Sequence, residues 1–175
     1  MRVNRLLCFV CFLIISSLAV AEAPPRKKGE KLPEFTYNTL DGKPFSSNNL
    51  KANTKLMIVY FNPLCDLCQE ETKEILSNIN YFDNIQILMI SPNPLEEVKR
   101  FVNLYQLQQF KQIIVLHDKQ DEFYKKFNAI GYPSLYLYDE NKQLITAFES
   151  QTSMEEIETA FNSANKGLAT GRKRK

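Results

Sequence analysis

Leu56-Met57-Ile58-Val59-Tyr60-Phe61-Asn62-Pro63-Leu64-Cys65-Asp66-Leu67-Cys68 is the stretch whose reading decides the fold. The run from Leu56 to Phe61 is continuously apolar and β-branched or aromatic at most positions, as a strand buried on both faces requires. Asn62-Pro63-Leu64 breaks it, and a helix is predicted from Asp66 to about Asn80. The two cysteines therefore sit one helical turn apart at a strand-to-helix turn. A dithiol placed there can close and reopen a disulfide with little backbone movement, and a helix N-terminus favours the thiolate of the first sulfur. Redox chemistry is the reading these residues favour.

Outward from this stretch the chain alternates strand and helix patterns. Phe35-Thr36-Tyr37 is a short strand before the Asp41-Gly42 turn, and Ile85 to Ile90 is a second buried strand. Pro92 and Pro94 precede a helix from Leu95 to about Leu107, then a strand over Ile113 to Leu116 and a short helix from Lys119 to Phe127. Ser134–Tyr138 and Leu144–Phe148 read as two strands joined by the Asp139-Glu140-Asn141-Lys142 turn. A helix from Ser153 to about Ala164 closes the order, with Ser153 and Glu156 as a capping box. Such alternation predicts an α/β domain with a mixed, mainly parallel sheet covered on both faces and ending in an antiparallel hairpin.

The ends of the chain differ from its middle. Arg2 and Arg5 precede an apolar run from Leu6 to Val20, and Ala19-Val20-Ala21 has the small-x-small form of a cleavage site. Residues 1–21 are thus expected to be a secretory signal peptide, cut before Glu22; the run is short of the ~20 apolar residues of a spanning helix. Cys8 and Cys11 leave with it, so Cys65 and Cys68 are the only cysteines expected in the mature chain. A sole dithiol exported to an oxidising compartment is more plausibly a reagent than a staple. Residues 22–31 are expected to form a basic linker, 32–165 the domain, and 166–175 a basic tail without structure. Residues 32–165 carry 11 Lys/Arg against 18 Asp/Glu, a balance of −7, while Arg26-Lys27-Lys28 and Arg172-Lys173-Arg174-Lys175 are basic. For an exported protein the terminal run is read as a solubilising tail, with no nucleic-acid partner expected.

Three separated segments resemble the thioredoxin superfamily, in particular its exported TlpA/ResA-like thiol-disulfide oxidoreductases. Gly29-Glu30-Lys31-Leu32-Pro33-Glu34-Phe35 with Asp41-Gly42-Lys43 resembles a lead-in shared with peroxiredoxin-like (AhpC/TSA-like) relatives. Val59 to Cys68 resembles the strand with its C-x-x-C, and Ile130 to Leu137 the cis-proline loop and following strand. The resemblance implies a thioredoxin-like fold with extra N-terminal strands, and it makes the strand–helix unit around Ile85–Leu107 the insertion of that branch. It also marks departures. Leu64 stands where thioredoxin has Trp, Asp66-Leu67 where it has Gly-Pro, and Val59 where it has a buried Asp. Recognition by thioredoxin reductase is therefore not expected.

Within that resemblance Cys65, at the turn, is the expected nucleophile and Cys68, one turn into the helix, the resolving thiol. The competing reading of the pair as zinc ligands lacks partners, since a structural site takes four and His117 is the chain's only histidine. The resemblance implies a cis bond before Pro133, with Tyr132 contributing to substrate contact. It also places an acidic residue at Glu71, which helical spacing puts partly on the buried face with Cys68, Thr72 and Ile75. Burial there would raise its pKa and suit it to proton transfer, against the plainer reading of a solvated Glu complementing the helix dipole. Asp66, Glu70 and Glu71 disfavour a thiolate nearby and so predict a reductant. No metal and no cofactor are expected. Expected partners are exported proteins with disulfides and a membrane dithiol electron donor, by a monomer in the periplasm or cell envelope. A peroxiredoxin-like peroxidase and a non-enzymatic copper- or protein-binding module are the alternatives. The first lacks the Pro-x-x-x-Thr-x-x-Cys pattern, and the second would need His117 beside the cysteines.

Overall fold

A computed structural model describes residues 26–171, with side chains through residue 164. The expected signal peptide, with Cys8 and Cys11, lies outside the described residues. Strand β3 (Lys55–Tyr60) runs through the middle of the sheet, parallel to β4 (Ile85–Ser91) on one side and antiparallel to β6 (Ser134–Tyr138) on the other. Beyond β4 lie β5 (Ile113–His117), β1 (Thr36–Thr39) and β2 (Pro44–Ser46); beyond β6 lies β7 (Leu144–Phe148). The resulting order is β2-β1-β5-β4-β3-β6-β7. The sheet is mixed, as expected. Its parallel pairing, however, is confined to the central β3–β4–β5 trio, because β1 and β6 both enter antiparallel.

Alternation along β3 divides the core. Met57, Val59 and Phe61 face α1 (Asp66–Ser77), α2 (Leu95–Leu104) and α4 (Met154–Gly171), meeting Cys68, Ile75, Val98, Phe101, Ile157 and Phe161. Leu56, Ile58 and Tyr60 face the opposite side, where α3 (Phe123–Phe127) supplies Phe123 and Phe127 and the first strand supplies Tyr37. Burying an apolar face on each side is what makes the near-continuous apolar reading of β3 and β4 necessary.

Several boundaries differ from those expected. The first helix ends at Ser77 rather than near Asn80, because the chain tightens into a 3-10 turn over Ile79–Phe82. The second ends at Leu104, just before Gln106 adopts a left-handed φ of 51°. The third starts only at Phe123: Asp118 to Asp121 form a turn, closed by the Asp121 N–H on the Asp118 carbonyl at 3.0 Å. Strand β2 joins β1 as an extra N-terminal strand of the kind the resemblance implies; Pro44 opens it at a sheet edge, where no ladder donor is required.

The two flanking segments also need correction. Residues 26–31 are no free linker, since Gly29 N–H donates to the Leu144 carbonyl at 2.7 Å and Leu144 N–H to Glu30 at 2.8 Å. Arg26 adds bonds to the carbonyls of Lys31 (2.8 Å) and Lys126 (3.2 Å). At the other end α4 continues to Gly171, into the segment expected to lack structure. Its start agrees with the capping box: Glu156 N–H donates to Ser153 Oγ at 3.3 Å and Ser153 N–H to the Glu156 carboxylate at 3.0 Å.

Phe123 is fully buried and stacks on Phe127 at 4.1 Å and on Tyr60 at 4.3 Å between centroids. Phe123→Ala is expected to lower stability by about 3–5 kcal/mol, the range for removing a buried aromatic ring. Urea unfolding of the purified chain measures this.

Candidate active site

Cys65 caps the N-terminus of α1 from an extended backbone (φ −87°, ψ 122°), and its Sγ accepts the Cys68 N–H at 3.4 Å. The break between β3 and α1 is stitched on both sides. Asn62 Oδ1 accepts the Leu64 N–H at 2.9 Å, the Asn62 carbonyl accepts the Cys65 N–H at 3.1 Å, and Gln69 Nε2 donates to the Pro63 carbonyl at 3.2 Å. Cys65 is partly exposed; Cys68, on the inner face of the helix, is 1 % exposed. Both are free thiols. Burial pushes the Cys68 thiol far up, and the neighbouring Cys65 and Glu71 add to the rise.

The Tyr132–Pro133 peptide is cis. Pro133 is buried, and the Tyr132 carbonyl faces Cys65, whose thiol donates to it at 3.8 Å. The loop is braced from within by Ser134 Oγ on the Gly131 carbonyl at 2.8 Å. The Tyr132 ring is not free for a substrate: it packs on Tyr60 at 4.7 Å, and its hydroxyl donates to the Tyr60 hydroxyl at 3.1 Å. Tyr60 in turn donates to Asp121 Oδ1 at 3.1 Å. The backbone of Tyr132, rather than its ring, is what this loop presents to the sulfur.

Glu71 is fully buried, in contrast to Glu70, which is solvated and paired with Lys73 at 2.8 Å. Its Oε2 accepts the Thr152 N–H at 2.8 Å, from the loop between β7 and α4, while Oε1 has no partner. Burial raises its pKa to about 7 against the pull of that bond. Cys68 and Glu71 thus occupy one buried face, one helical turn apart.

Two contributors have no motif of their own: Thr152, which holds the carboxyl, and Asp121, which anchors the tyrosine pair. Tyr60 was visible only as one residue of a strand. His117 closes β5 and lines a separate hollow with Thr36, Tyr37, Asp118 and Glu122, without either cysteine. Among the described residues no group of three or more His, Cys, Asp or Glu could hold a metal. A hollow of about 540 Å3 lies along β7 and α4 and includes neither cysteine; a groove of about 300 Å3 adjoins the cis-proline loop.

The AhpC/TSA family model matches residues 28–147, which spans all three motif segments. No curated protein matches the chain by sequence. Among solved structures it is similar to a secreted Mycobacterium tuberculosis disulfide oxidoreductase homologous to Escherichia coli DsbE, at 19% identity over 72% of this chain and 92% of that one, TM-score 0.62. A putative thiol:disulfide interchange protein DsbE from Chlorobium tepidum matches at 14% identity over 77% and 94%, TM-score 0.64. A peroxiredoxin-like protein from Aquifex aeolicus matches at 15% identity over 79% and 88%, TM-score 0.65. At these identities the neighbours speak for the fold, which is thioredoxin-like. Family and fold together support a redox function in general, consistent with the resemblance read from the motifs. The chain belongs to the AhpC/TSA family.

Proposed function

We propose that this protein is an exported thiol-disulfide oxidoreductase that reduces disulfides in other exported proteins through Cys65 and Cys68. The observation that carries the proposal is the placement of the partly exposed Cys65 sulfur at the helix terminus, against the carbonyl that precedes the cis proline. Export rests on the charge and apolar pattern of residues 1–21, and the secreted neighbour supports it. The periplasm or cell envelope is the proposed location. A membrane dithiol protein would return the enzyme to its reduced form.

The reaction divides between the sulfurs. Cys65, as thiolate, attacks one sulfur of the substrate disulfide; that S–S bond breaks, and the departing thiolate takes up a proton. Cys68 then attacks Cys65 Sγ, releases the second substrate thiol and closes the Cys65–Cys68 bond. The substrate gains two electrons and two protons, and the enzyme loses them. Cys68 must shed its proton where water does not reach. Glu71, on the same buried face, is the acceptor within the fold, and a pKa near 7 lets it both take and release that proton. Burial and the neighbouring Glu71 carboxyl both disfavour a Cys68 thiolate, which supports a reductant.

The family match and the Aquifex aeolicus neighbour also favour a peroxidase as second reading. Here Pro63 stands only two residues before Cys65, so the pattern that activates a peroxidatic cysteine is missing.

Reduction of insulin, coupled to a small dithiol, tests the proposal. Wild type is active, Cys65→Ser loses all turnover, and Cys68→Ser accumulates mixed disulfide with the substrate. Full activity in Cys65→Ser, or peroxide consumed faster than insulin, overturns the assignment. The reduction potential is expected near or below ~−220 mV; a value near ~−120 mV, that of a strong oxidant, refutes the direction.

Glu71→Gln yields two readouts. The resolving step slows by about 100-fold, and its pH dependence near pH 7 disappears, as measured by quench-flow trapping of mixed disulfide. Stability moves the other way. The folded carboxyl keeps its proton up to about pH 7, whereas an ordinary one loses it near 4.5. The folded state therefore binds more protons in that window, and wild-type stability falls as pH rises through it. Glu71→Gln removes this fall and is expected to be more stable than wild type by about 1–3 kcal/mol at pH 8. Urea midpoints at pH 4 and pH 8 measure the difference.

A further inference from the structure

The groove of about 300 Å3 beside the cis-proline loop is walled by Tyr60, Tyr124, Ala129, Ile130 and Tyr132, with Asp121 among them. Asp121 is exposed, as are Tyr124 (42 %) and Ile130 (76 %). One carboxylate oxygen of Asp121 accepts the Tyr60 hydroxyl; among the described residues nothing donates to the other, and no cation pairs with Asp121. The Lys125 ammonium stands 5.4 Å from the Tyr124 centroid, so that ring already faces a cation, while Lys126 is held by Glu122 at 3.2 Å.

We propose that this groove is a subsite for a lysine or arginine side chain on the disulfide-bearing polypeptide. The inference rests on reading Cys65 and Cys68 as a protein-disulfide reductase, and it names the substrate's chemistry. Tyr132 belongs both to the groove and to the backbone that faces Cys65 Sγ at 3.8 Å. A polypeptide whose cysteine reaches Cys65 therefore passes the mouth of the groove. An extended chain rises about 3.3 Å per residue, so a long side chain one or two positions from that cysteine enters it. The methylene stem of Lys or Arg packs on exposed Ile130 and Tyr124, and its cationic head pairs with the second Asp121 oxygen. An acidic side chain meets the Asp121 charge. An apolar one makes no pair with the Asp121 charge.

Three disulfide-linked peptides, alike except for Lys, Gln or Glu two residues from the cysteine, test this by their kcat/KM ratios. Wild type is expected to favour Lys over Gln about fivefold, and Lys over Glu by more. In Asp121→Asn the Lys/Gln ratio should fall to near one. Asparagine keeps an acceptor for the Tyr60 hydroxyl and suits the left-handed backbone at this position (φ 51°). Equal rates for all three peptides overturn the subsite, as does a lysine preference that survives Asp121→Asn. If wild type reduces none of the peptides, the reductase reading itself fails. Binding of the serine analogues, followed by fluorescence anisotropy, then judges the groove by the same ratios.

Discussion

Burying Cys68 and Glu71 on the same face of α1 costs free energy that only the neutral forms of both groups avoid. A neutral thiol packs there as Ile75 does, one turn beyond Glu71; the carboxyl is the group out of place. In the proposed reaction a proton leaving this buried thiol moves to another buried group. The carboxyl is held for this at one oxygen by Thr152, and its other oxygen is left without a partner. A glutamine in its place would keep the bond to Thr152 and carry no titratable proton. The sacrifice of stability and the capacity for proton transfer are one property of Glu71.

The exposed half of the site depends on the opposite face of the sheet. Phe127, Phe123, Tyr60 and Tyr132 form a continuous aromatic column, with centroids 4.1, 4.3 and 4.7 Å apart. It begins in α3, crosses β3 and ends at the residue before the cis proline. Tyrosine replaces phenylalanine where the column nears solvent, and the hydroxyls of Tyr132 and Tyr60 lead to Asp121. Stacked rings resist shear and hydroxyl bonds resist rotation, so the Tyr132 carbonyl keeps its place opposite Cys65. The position of a surface loop is thus fixed by the deepest part of the second core.

What could be read beforehand followed from local pattern. The apolar run of β3, the cysteine spacing and the Ser153–Glu156 box each declare themselves within a few residues. The helical spacing that put Glu71 beside Cys68 was legible in the same way. Thr152 was not, because it acts through its backbone N–H across 81 positions of sequence, and every residue type but proline supplies that donor. Asp121 looked like part of a helix; only the turn closed on Asp118 turns its carboxylate towards Tyr60. Residues 29–31 read as linker because their pairing with residues 143 and 144 is again a backbone affair. Strand direction was harder to read, because apolar patterns carry none: β6 returns antiparallel to β3 after the short helix α3.

The two sulfurs consequently work in different media. Cys65 stands at the wet rim, where Asp66 is exposed and Glu70 is tied to Lys73, so the charges there are screened and worth little individually. Cys68 stands in the dry interior, where a single carboxyl counts for much more. In the proposed reaction, attack on a substrate is governed by access and by what the neighbouring loop can hold, and resolution by a buried proton. Changing an acid at the rim should alter which polypeptides are met. Changing the buried one should alter how quickly they are let go.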